Sequence, residues 1–286
     1  MTWTLGIAGL LLLAALAYWQ LIIAEGAYLG RRVVTWLYDV SATAYERIKQ
    51  FDTDTEQWFL GLPLAQALDH IPAPLVLDVG TGTGRLPRAL LFQPRFAGQV
   101  VGLDLSRRML EQAVRLTAAY AGRVTWIWQD AQVLPFGDGV FDAVTCLEAL
   151  EFTPSPRGVL GELVRVLRPG GVLVVSNRIG SDAPLLPGRA FRGPTFEALL
   201  RDLALESVYT QAWQMDYDLV WAVKAGPPRG GGARPLADLL CCPACGHGPL
   251  VQGTTGYGCV ACGCLYPVTA DGVIEMARPR PLIRSD

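Results

Sequence analysis

The stretch Leu75-Val-Leu-Asp78-Val-Gly80-Thr-Gly82-Thr-Gly84-Arg85 decides the fold. Its first five residues form a short apolar run of the kind that makes a buried strand, and three glycines at alternate positions follow at once. Missing side chains let the backbone turn sharply there and approach a ligand closely. In an open parallel sheet, ligands bind beyond the carboxyl ends of the strands, which is where this turn falls. A dinucleotide-binding fingerprint would carry glycine or alanine at position 85, and Arg85 stands there instead.

Outward from the turn, strand and helix patterns alternate in the rhythm of a parallel sheet. Strands are expected over 75–79, 99–103, 124–128, 141–146 and 172–176, with a closing hairpin over 208–213 and 217–224. Helices are expected over 85–92, 107–121, 158–167 and 195–205, and Arg168-Pro-Gly-Gly171 reads as a turn. The sum is an α/β, doubly wound, Rossmann-like sheet of seven strands over residues 75–224.

Two further strand ends carry acids. Asp104 closes Val-Val-Gly-Leu-Asp104, where a carboxylate can accept hydrogen bonds from both hydroxyls of a ribose and disfavours a phosphorylated one. Asp130 closes Trp-Gln-Asp130-Ala131. With Asp78, three strand-end acids and the glycine turn are far more specific than any one of them.

Through these motifs, with Pro135-Phe136, Phe141-Asp142-Ala-Val and Leu-Arg-Pro169-Gly-Gly171, residues 38–224 resemble the class I S-adenosylmethionine-dependent methyltransferases. The likeness is to the group that includes the ubiquinone and menaquinone biosynthesis methyltransferases. The resemblance implies that Asp78, Gly80, Thr81, Gly82 and Gly84 hold the methionine end of S-adenosylmethionine. Asp104 and Leu105 would then hold the ribose, and Asp130 and Ala131 the adenine. In this fold the segment after the fourth strand usually lines the methyl-donor pocket. Here that segment is Cys146-Leu-Glu148-Ala-Leu-Glu151.

Methyl transfer from a sulfonium is an in-line displacement, so alignment and a dry cavity do most of the work and a base is optional. Glu148 and Glu151 are the candidate catalytic acids, each with the alternative of a solvated loop charge or a helix-end residue. Cys146 reads as a small buried hydrophobe rather than a nucleophile. Asn177 and Arg178, after the fifth strand, are placed to orient an acceptor. His70 and His247 are the only histidines, and neither reads as a base.

Residues 1–24 contain no charged side chain. A helix of about 20 such residues, rising 1.5 Å each, spans the roughly 30 Å hydrocarbon core of a bilayer. A secretory signal peptide is the chief alternative and a buried core helix a weaker one. Trp3, Tyr18 and Trp19 suit interfacial belts, and Arg31, Arg32, Arg47 and Lys49 all follow the span. The expectation is a single-pass membrane protein with its catalytic domain in the cytoplasm. Residues 25–74 are expected as a helical connector and cap, with one helix over 25–51, broken near Ser41, and another over 55–68.

Residues 225–236 read as a glycine- and proline-rich linker, and 237–286 as a small separate module. Cys242-Pro-Ala-Cys245 and Cys259-Val-Ala-Cys262 present two thiolate pairs, the donor set of a structural Zn2+ site. So short a segment buries little core, and a metal is the natural stabiliser. Cys241, Cys264 and His247 are adjacent alternatives. With Tyr266-Pro267, Asp271-Gly272 and the residues around them, this module resembles the small zinc-binding activator subunit of tRNA, rRNA and protein methyltransferases. Glu275 replaces a proline of that family's motif, and the role expected here is stabilising or gating.

A formal charge of −2 gives no whole-protein attraction to nucleic acid, and Arg229, Arg234, Arg278, Arg280 and Arg284 of the tail are offset by acids. The leading expectation is a membrane-tethered methyltransferase of a small lipophilic acceptor, a quinone precursor or a lipid. The alternatives are an RNA or protein methyltransferase that binds substrate through the zinc module, and a non-catalytic membrane scaffold. Oligomeric state has no signature in the sequence.

Overall fold

The computed structural model describes residues 2–228 and 231–281. Met1 of the expected span, Arg229 of the expected linker, and residues 282–286, Arg284 among them, lie outside the described residues, as does the side chain of Arg280. Helix α1 (Thr2–Tyr18) continues through a wider turn, Trp19–Ile23. Over Trp3–Ile23 it is long and apolar enough to cross a membrane, and the rest of the chain buries none of it. The chain then reverses through Glu25 and Gly26, both in left-handed conformation.

The connector begins with a short 3-10 turn, Ala27–Leu29, rather than as one helix from residue 25. It continues as α2 (Arg31–Ser41), which ends at the break expected near Ser41, and α3 (Tyr45–Lys49). Next, α4 (Thr53–Glu56) starts two residues before the expected helix, because Asp52 caps it by accepting from the Asp54 amide at 3.1 Å. A widened turn, Gln57–Gly61, leads into α5 (Leu62–Ala67).

The main sheet contains β1 (Leu75–Val79), β2 (Gln99–Asp104), β3 (Val124–Trp128), β4 (Phe141–Cys146), β5 (Leu167–Arg178), β6 (Leu205–Gln214) and β7 (Tyr217–Lys224). Their order is β3-β2-β1-β4-β5-β7-β6. The first five are parallel, and β7 runs antiparallel to both neighbours. The strand order reverses between β1 and β4, so the cleft outside their carboxyl ends is the place for a ligand.

Helices α6 (Arg85–Leu91), α7 (Arg107–Leu116), α8 (Pro156–Val166) and α9 (Gly193–Asp202) complete the winding. One face of the sheet packs Leu77, Val144 and Val175 against Leu160 and Leu163 of α8. The other packs Val76, Val100 and Val174 against Leu64 of α5 and Leu86 and Leu90 of α6.

Arg168-Pro-Gly-Gly171, expected as a turn, is carried inside β5 as a bulge. Pairing jumps from Phe141 with Leu167 to Ala143 with Val172. The Arg168 guanidinium fixes the excursion by donating to buried Asp142 and to the Val140 carbonyl, each at 2.5 Å. The glycine-rich segment that follows the sheet is fastened beneath it, since the Gly232 amide donates to Asp142 and the Ala233 amide to the Ala73 carbonyl.

The carboxyl-terminal module comprises α10 (Leu236–Leu239), β8 (Val251–Gln252), β9 (Gly256–Gly258), β10 (Cys264–Pro267), β11 (Ile274–Glu275) and β12 (Arg280–Pro281). Four of its strands form a small sheet, β12-β10-β9-β8. The fifth, β11, joins the main sheet beside β3, pairing Ile274 with Ile127 and Glu275 with Trp128. The main sheet therefore has eight strands, one more than expected. The exposed edge of β3 offers unpaired amides and carbonyls that a strand from the module satisfies. Arg107 of α7 adds a two-pronged ion pair to Asp271, and Leu240, Tyr257, Tyr266 and Met276 join the hydrophobic cluster of the sheet.

Candidate active site

The cleft is built from the glycine turn outward. Buried Asp78 accepts hydrogen bonds from Thr81 and from Thr145 of β4, both at 2.6 Å, and so ties the turn to the neighbouring strand. Burial pushes its carboxyl up to about 6, against the lowering by the two hydroxyls. Gly80 has φ +69°, and a Cβ there would lie 2.5 Å from the Ala149 side chain. Gly82 is also left-handed, at +53°, yet a Cβ there would meet nothing within 4 Å. Its face is turned to the open cleft, the close backbone approach a ligand needs.

Asp104 sits opposite. One oxygen accepts from the Gly82 amide at 2.8 Å and the other from the Ser106 amide at 2.7 Å. Burial raises its carboxyl to about 6 despite these donors. Each oxygen keeps a lone-pair direction for a second donor such as a sugar hydroxyl. Leu105, Asp130, Ala131 and Cys146 line the same cleft as Gly80, Gly82 and Asp104, with about 830 Å³ of empty space including its mouth. Asp78 and Thr81 line a small adjoining hollow with Gly80 and Gly82, and Gly84 caps α6. Cys146 is fully buried, and burial, with Asp78, Glu151 and Asp104 nearby, pushes its thiol well up, which suits a wall residue rather than a nucleophile.

The roof comes from the segment expected as connector and cap. Val34, Thr35 and Tyr38 of α2 and Tyr45 of α3 cover the cleft. Four latches hold the two helices to strand-end loops. Arg31 pairs with Asp130 at 2.8 Å, and Asp39 accepts from the Ser106 hydroxyl at 2.6 Å. Glu46 accepts from Thr83 at 2.5 Å and from Arg88 at 2.8 and 2.9 Å. Lys49 pairs with Glu148 at 3.1 Å.

The two candidate acids differ. Glu148 accepts from Arg85 at 2.5 Å as well as from Lys49. Arg85 is itself gripped by both oxygens of Glu56 at 2.6 Å and sandwiched between the rings of Phe51 and Trp213, at 4.1 and 4.7 Å. Burial opposes the charge on Glu148, but Arg85 and Lys49 outweigh it and hold the carboxyl below its ordinary value. Glu148 lines the cleft as a committed anion, a weak proton acceptor.

Glu151 is buried and lies outside the lining of the cleft, with one oxygen accepting from the Tyr217 hydroxyl of β7. Its other oxygen has no partner among the described residues. Burial lifts its carboxyl to about 7, countered in part by Tyr217 and Arg178. Arg178 donates to the Tyr217 hydroxyl at 3.1 Å, so it joins the Glu151 group rather than the cleft beside Asp104. Asn177 is spent on the Phe191 carbonyl at 2.9 Å, and His70 is exposed.

In the carboxyl-terminal module the sulfurs of Cys242, Cys245, Cys259 and Cys262 all lie within 4.8 Å of one another, with Cys242 to Cys262 at 3.5 Å and Cys245 to Cys259 at 3.6 Å. Tetrahedral zinc with sulfur ligands at about 2.3 Å sets sulfurs about 3.8 Å apart, so the donor set fits that ion. The Tyr266 hydroxyl donates to the Cys242 sulfur at 2.9 Å. Cys241, Cys264 and His247 stand outside the set.

Comparison with known proteins agrees with this geometry. Residues 77–175 match the family described as methyltransferase domain. The chain is 46% identical to the demethylmenaquinone methyltransferase of Thermus thermophilus over 110 residues, 38% of this chain and 49% of that protein. It is 33% identical to that of Clavibacter sepedonicus over 153 residues, covering 54% and 61%. It is 37% identical to the ubiquinone/menaquinone biosynthesis C-methyltransferase UbiE of Desulfotalea psychrophila over 137 residues, covering 47% and 54%. The chain thus spans about half to three fifths of the length of these relatives.

Among solved structures, a putative sarcosine dimethylglycine methyltransferase of Galdieria sulphuraria superposes with a TM-score of 0.51 at 16% identity, over 60% of this chain and 86% of that one. A chain from a complex of the Haloferax volcanii Trm112 methyltransferase activator with a putative methyltransferase gives 0.50 at 22%, over 66% and 98%. Sheet order, glycine turn and sequence match agree: the chain has the class I methyltransferase fold, and residues 77–175 match the methyltransferase domain.

Proposed function

We propose that the chain is an S-adenosylmethionine-dependent methyltransferase, anchored in a membrane by α1, that methylates a small lipophilic acceptor, a quinone precursor or a lipid. The observation that carries this reading is the joint between span and site. Trp19, at the foot of the span, donates to the Leu185 carbonyl, and Tyr28 to the Pro187 carbonyl, both at 3.0 Å. Arg189 donates to the Ala27 carbonyl and lies 4.7 Å over the Tyr28 ring, which stacks on Trp19 at 5.3 Å. The next helix, α2, is the roof of the cleft. A span docked in this way holds the mouth of the site close to the bilayer, where a lipophilic acceptor concentrates.

The bound cofactor would supply a sulfonium methyl group for in-line displacement. Asp104 would accept from its ribose hydroxyls, Asp130 and Ala131 would border its adenine, and Gly80 and Gly82, braced by Asp78, would meet its methionine end. Glu151, buried outside the lining of the cleft, would be the base for an acceptor that has to lose a proton once that acceptor reaches it, since burial lifts its carboxyl to about 7 while Glu148 is held charged. The four cysteines would hold a structural zinc ion. Arg31, Arg32, Arg47 and Lys49, all after the span, favour a cytoplasmic catalytic domain.

Docking of the module on the methyltransferase sheet through β11 favours one other reading, methylation of RNA or protein. Incubating the full chain with methyl-labelled cofactor, extracted membrane lipids and bulk RNA separates the two. Label in the lipid fraction is expected, and label confined to RNA or protein would refute the lipophilic acceptor. Glu151→Gln is expected to lower kcat by about 10²- to 10⁴-fold and to abolish a rise in rate with apparent pKa about 7.

A further inference from the structure

A second cleft opens beside the donor site, bounded by α2, the loop after β3 and the carboxyl-terminal module. It has about 1630 Å³ of empty space including its mouth. It shares a wall of Arg31, Thr35, Leu105, Gln129 and Asp130 with the donor cleft, and it exists because β11 docks the module on β3.

Its charges are unbalanced. Three guanidinium groups line it, from Arg31, Arg32 and Arg278, together with two carboxylates. Asp130 is paired with Arg31, and Asp39 accepts from the Ser106 hydroxyl and the Arg108 amide. Arg32 and Arg278 have no acidic partner among the described residues. Arg278 instead lies 5.2 Å over the ring of Trp128, whose indole is pinned by its bond to the Leu105 carbonyl at 2.8 Å. One turn from Arg32, Trp36 is 59% exposed, and Val133 and Met276 supply an apolar floor. Two guanidinium forks with no acidic partner among the described residues, beside two indoles and over an apolar floor, match an amphiphile with a phosphate group. The chain reaches this wall directly after the span, so a membrane lipid is the ready source of such a ligand.

We propose that the cleft between α2 and the carboxyl-terminal module binds the phosphate of an anionic phospholipid, with Arg32 and Arg278 gripping its oxygens. Trp36 then faces the acyl side and Trp128 backs the Arg278 guanidinium. A lipid held there lies against the wall of the donor cleft, and the Arg31–Asp130 pair stands between the two. The choice of a lipid as source rests on the membrane reading above, whereas the phosphate site itself does not.

The test is calorimetric titration of the full chain in neutral detergent with dihexanoyl-phosphatidylglycerol, compared with dihexanoyl-phosphatidylcholine, inorganic phosphate and a short single-stranded RNA. Saturable binding of the anionic lipid is expected, tighter than that of the zwitterionic lipid or of phosphate. The double variant R32A/R278A is expected to weaken it at least about 10-fold, while zinc content and S-adenosylhomocysteine binding stay as in the parent. Unchanged lipid affinity in that variant would overturn the site. Phosphate binding as tightly as lipid would overturn the lipid source, and RNA displacing lipid at lower concentration would overturn the ligand class. Lipid binding needs no methyl transfer, so loss of S-adenosylhomocysteine binding in the parent would sink the methyltransferase reading and leave this one standing.

Discussion

Glu148 and Glu151 sit three residues apart on the loop after β4, and the fold treats them in opposite ways. Glu148 meets two cations, Arg85 and Lys49, and stays an anion. Glu151 meets a phenol, Tyr217, and in its buried place keeps one oxygen without a partner among the described residues. Burial works against charge at both positions, so the difference comes from partners brought in by distant segments. At Glu148, which lines the cleft, the loop is bolted down by two cations; at Glu151, buried outside the cleft lining, it carries a carboxyl that burial lifts to about 7.

The strongest way to break this comparison is to remove the bolt. Arg85→Met leaves Glu56 and Glu148 facing each other in a buried site, and a loss of about 3–5 kcal/mol is expected in chemical denaturation. A loss below about 1 kcal/mol would mean that the carboxylates are hydrated or protonated and that the cluster is not the anchor described. The next effect is on pH dependence. Because the folded pKa of Glu151 is raised from 4.5 to about 7, its contribution to stability is complete below 4.5 and is lost as pH rises to 7. The loss is on the order of 3 kcal/mol at its limit. Denaturation midpoints measured across that window should fall further for the parent than for Glu151→Gln, in which Asp78 and Asp104, both raised to about 6, still lose stability as pH rises. Glu148 has the opposite sign, its stabilisation being present above 4.5 and lost as pH falls below it.

Smaller effects sharpen the picture. Glu148→Gln keeps the shape but strands Lys49 and one arm of Arg85, and about 1–3 kcal/mol of stability should go. A result near zero would place the anchoring wholly on Glu56. Tyr217→Phe removes one hydrogen bond to the Glu151 carboxylate, at about 1 kcal/mol, and the Glu151 carbon resonance should titrate at higher pH than in the parent. Titration at lower pH would show that the hydroxyl was not stabilising the charged form.

How far the chain can be read from its sequence follows from the same contrast. Strands β1, β3 and β4 have the bounds their apolar runs predict, because each run is short, β-branched or aromatic, and fenced by turn residues. The four cysteines converge because their spacing is itself the ligand geometry. The glycine turn with Asp104 was legible for a like reason, its chemistry being local to two strand ends. The latches of the roof were not. Arg31 meets Asp130 across 99 positions, and nothing in the periodicity of α2 announces that partner. Tyr217 and Glu151 are 66 positions apart and are joined only because β7 folds back beside β5. The eighth strand escaped notice because β11 is two residues long and pairs across the boundary of the module. The segment after Arg168 looked like a turn because proline and two glycines make one locally. The buried ion pair with Asp142 turns it into a bulge of β5 instead.

The cleft between the glycine turn and Asp104 is central as the proposed methyl-donor site. Calorimetric titration of the full chain with S-adenosylhomocysteine tests this most directly. One saturable site per chain is expected, weakened about 10- to 100-fold by Asp104→Ala through loss of charge-assisted hydrogen bonds to the ribose. Absence of binding by the parent, or equal affinity in the variant, would contradict it.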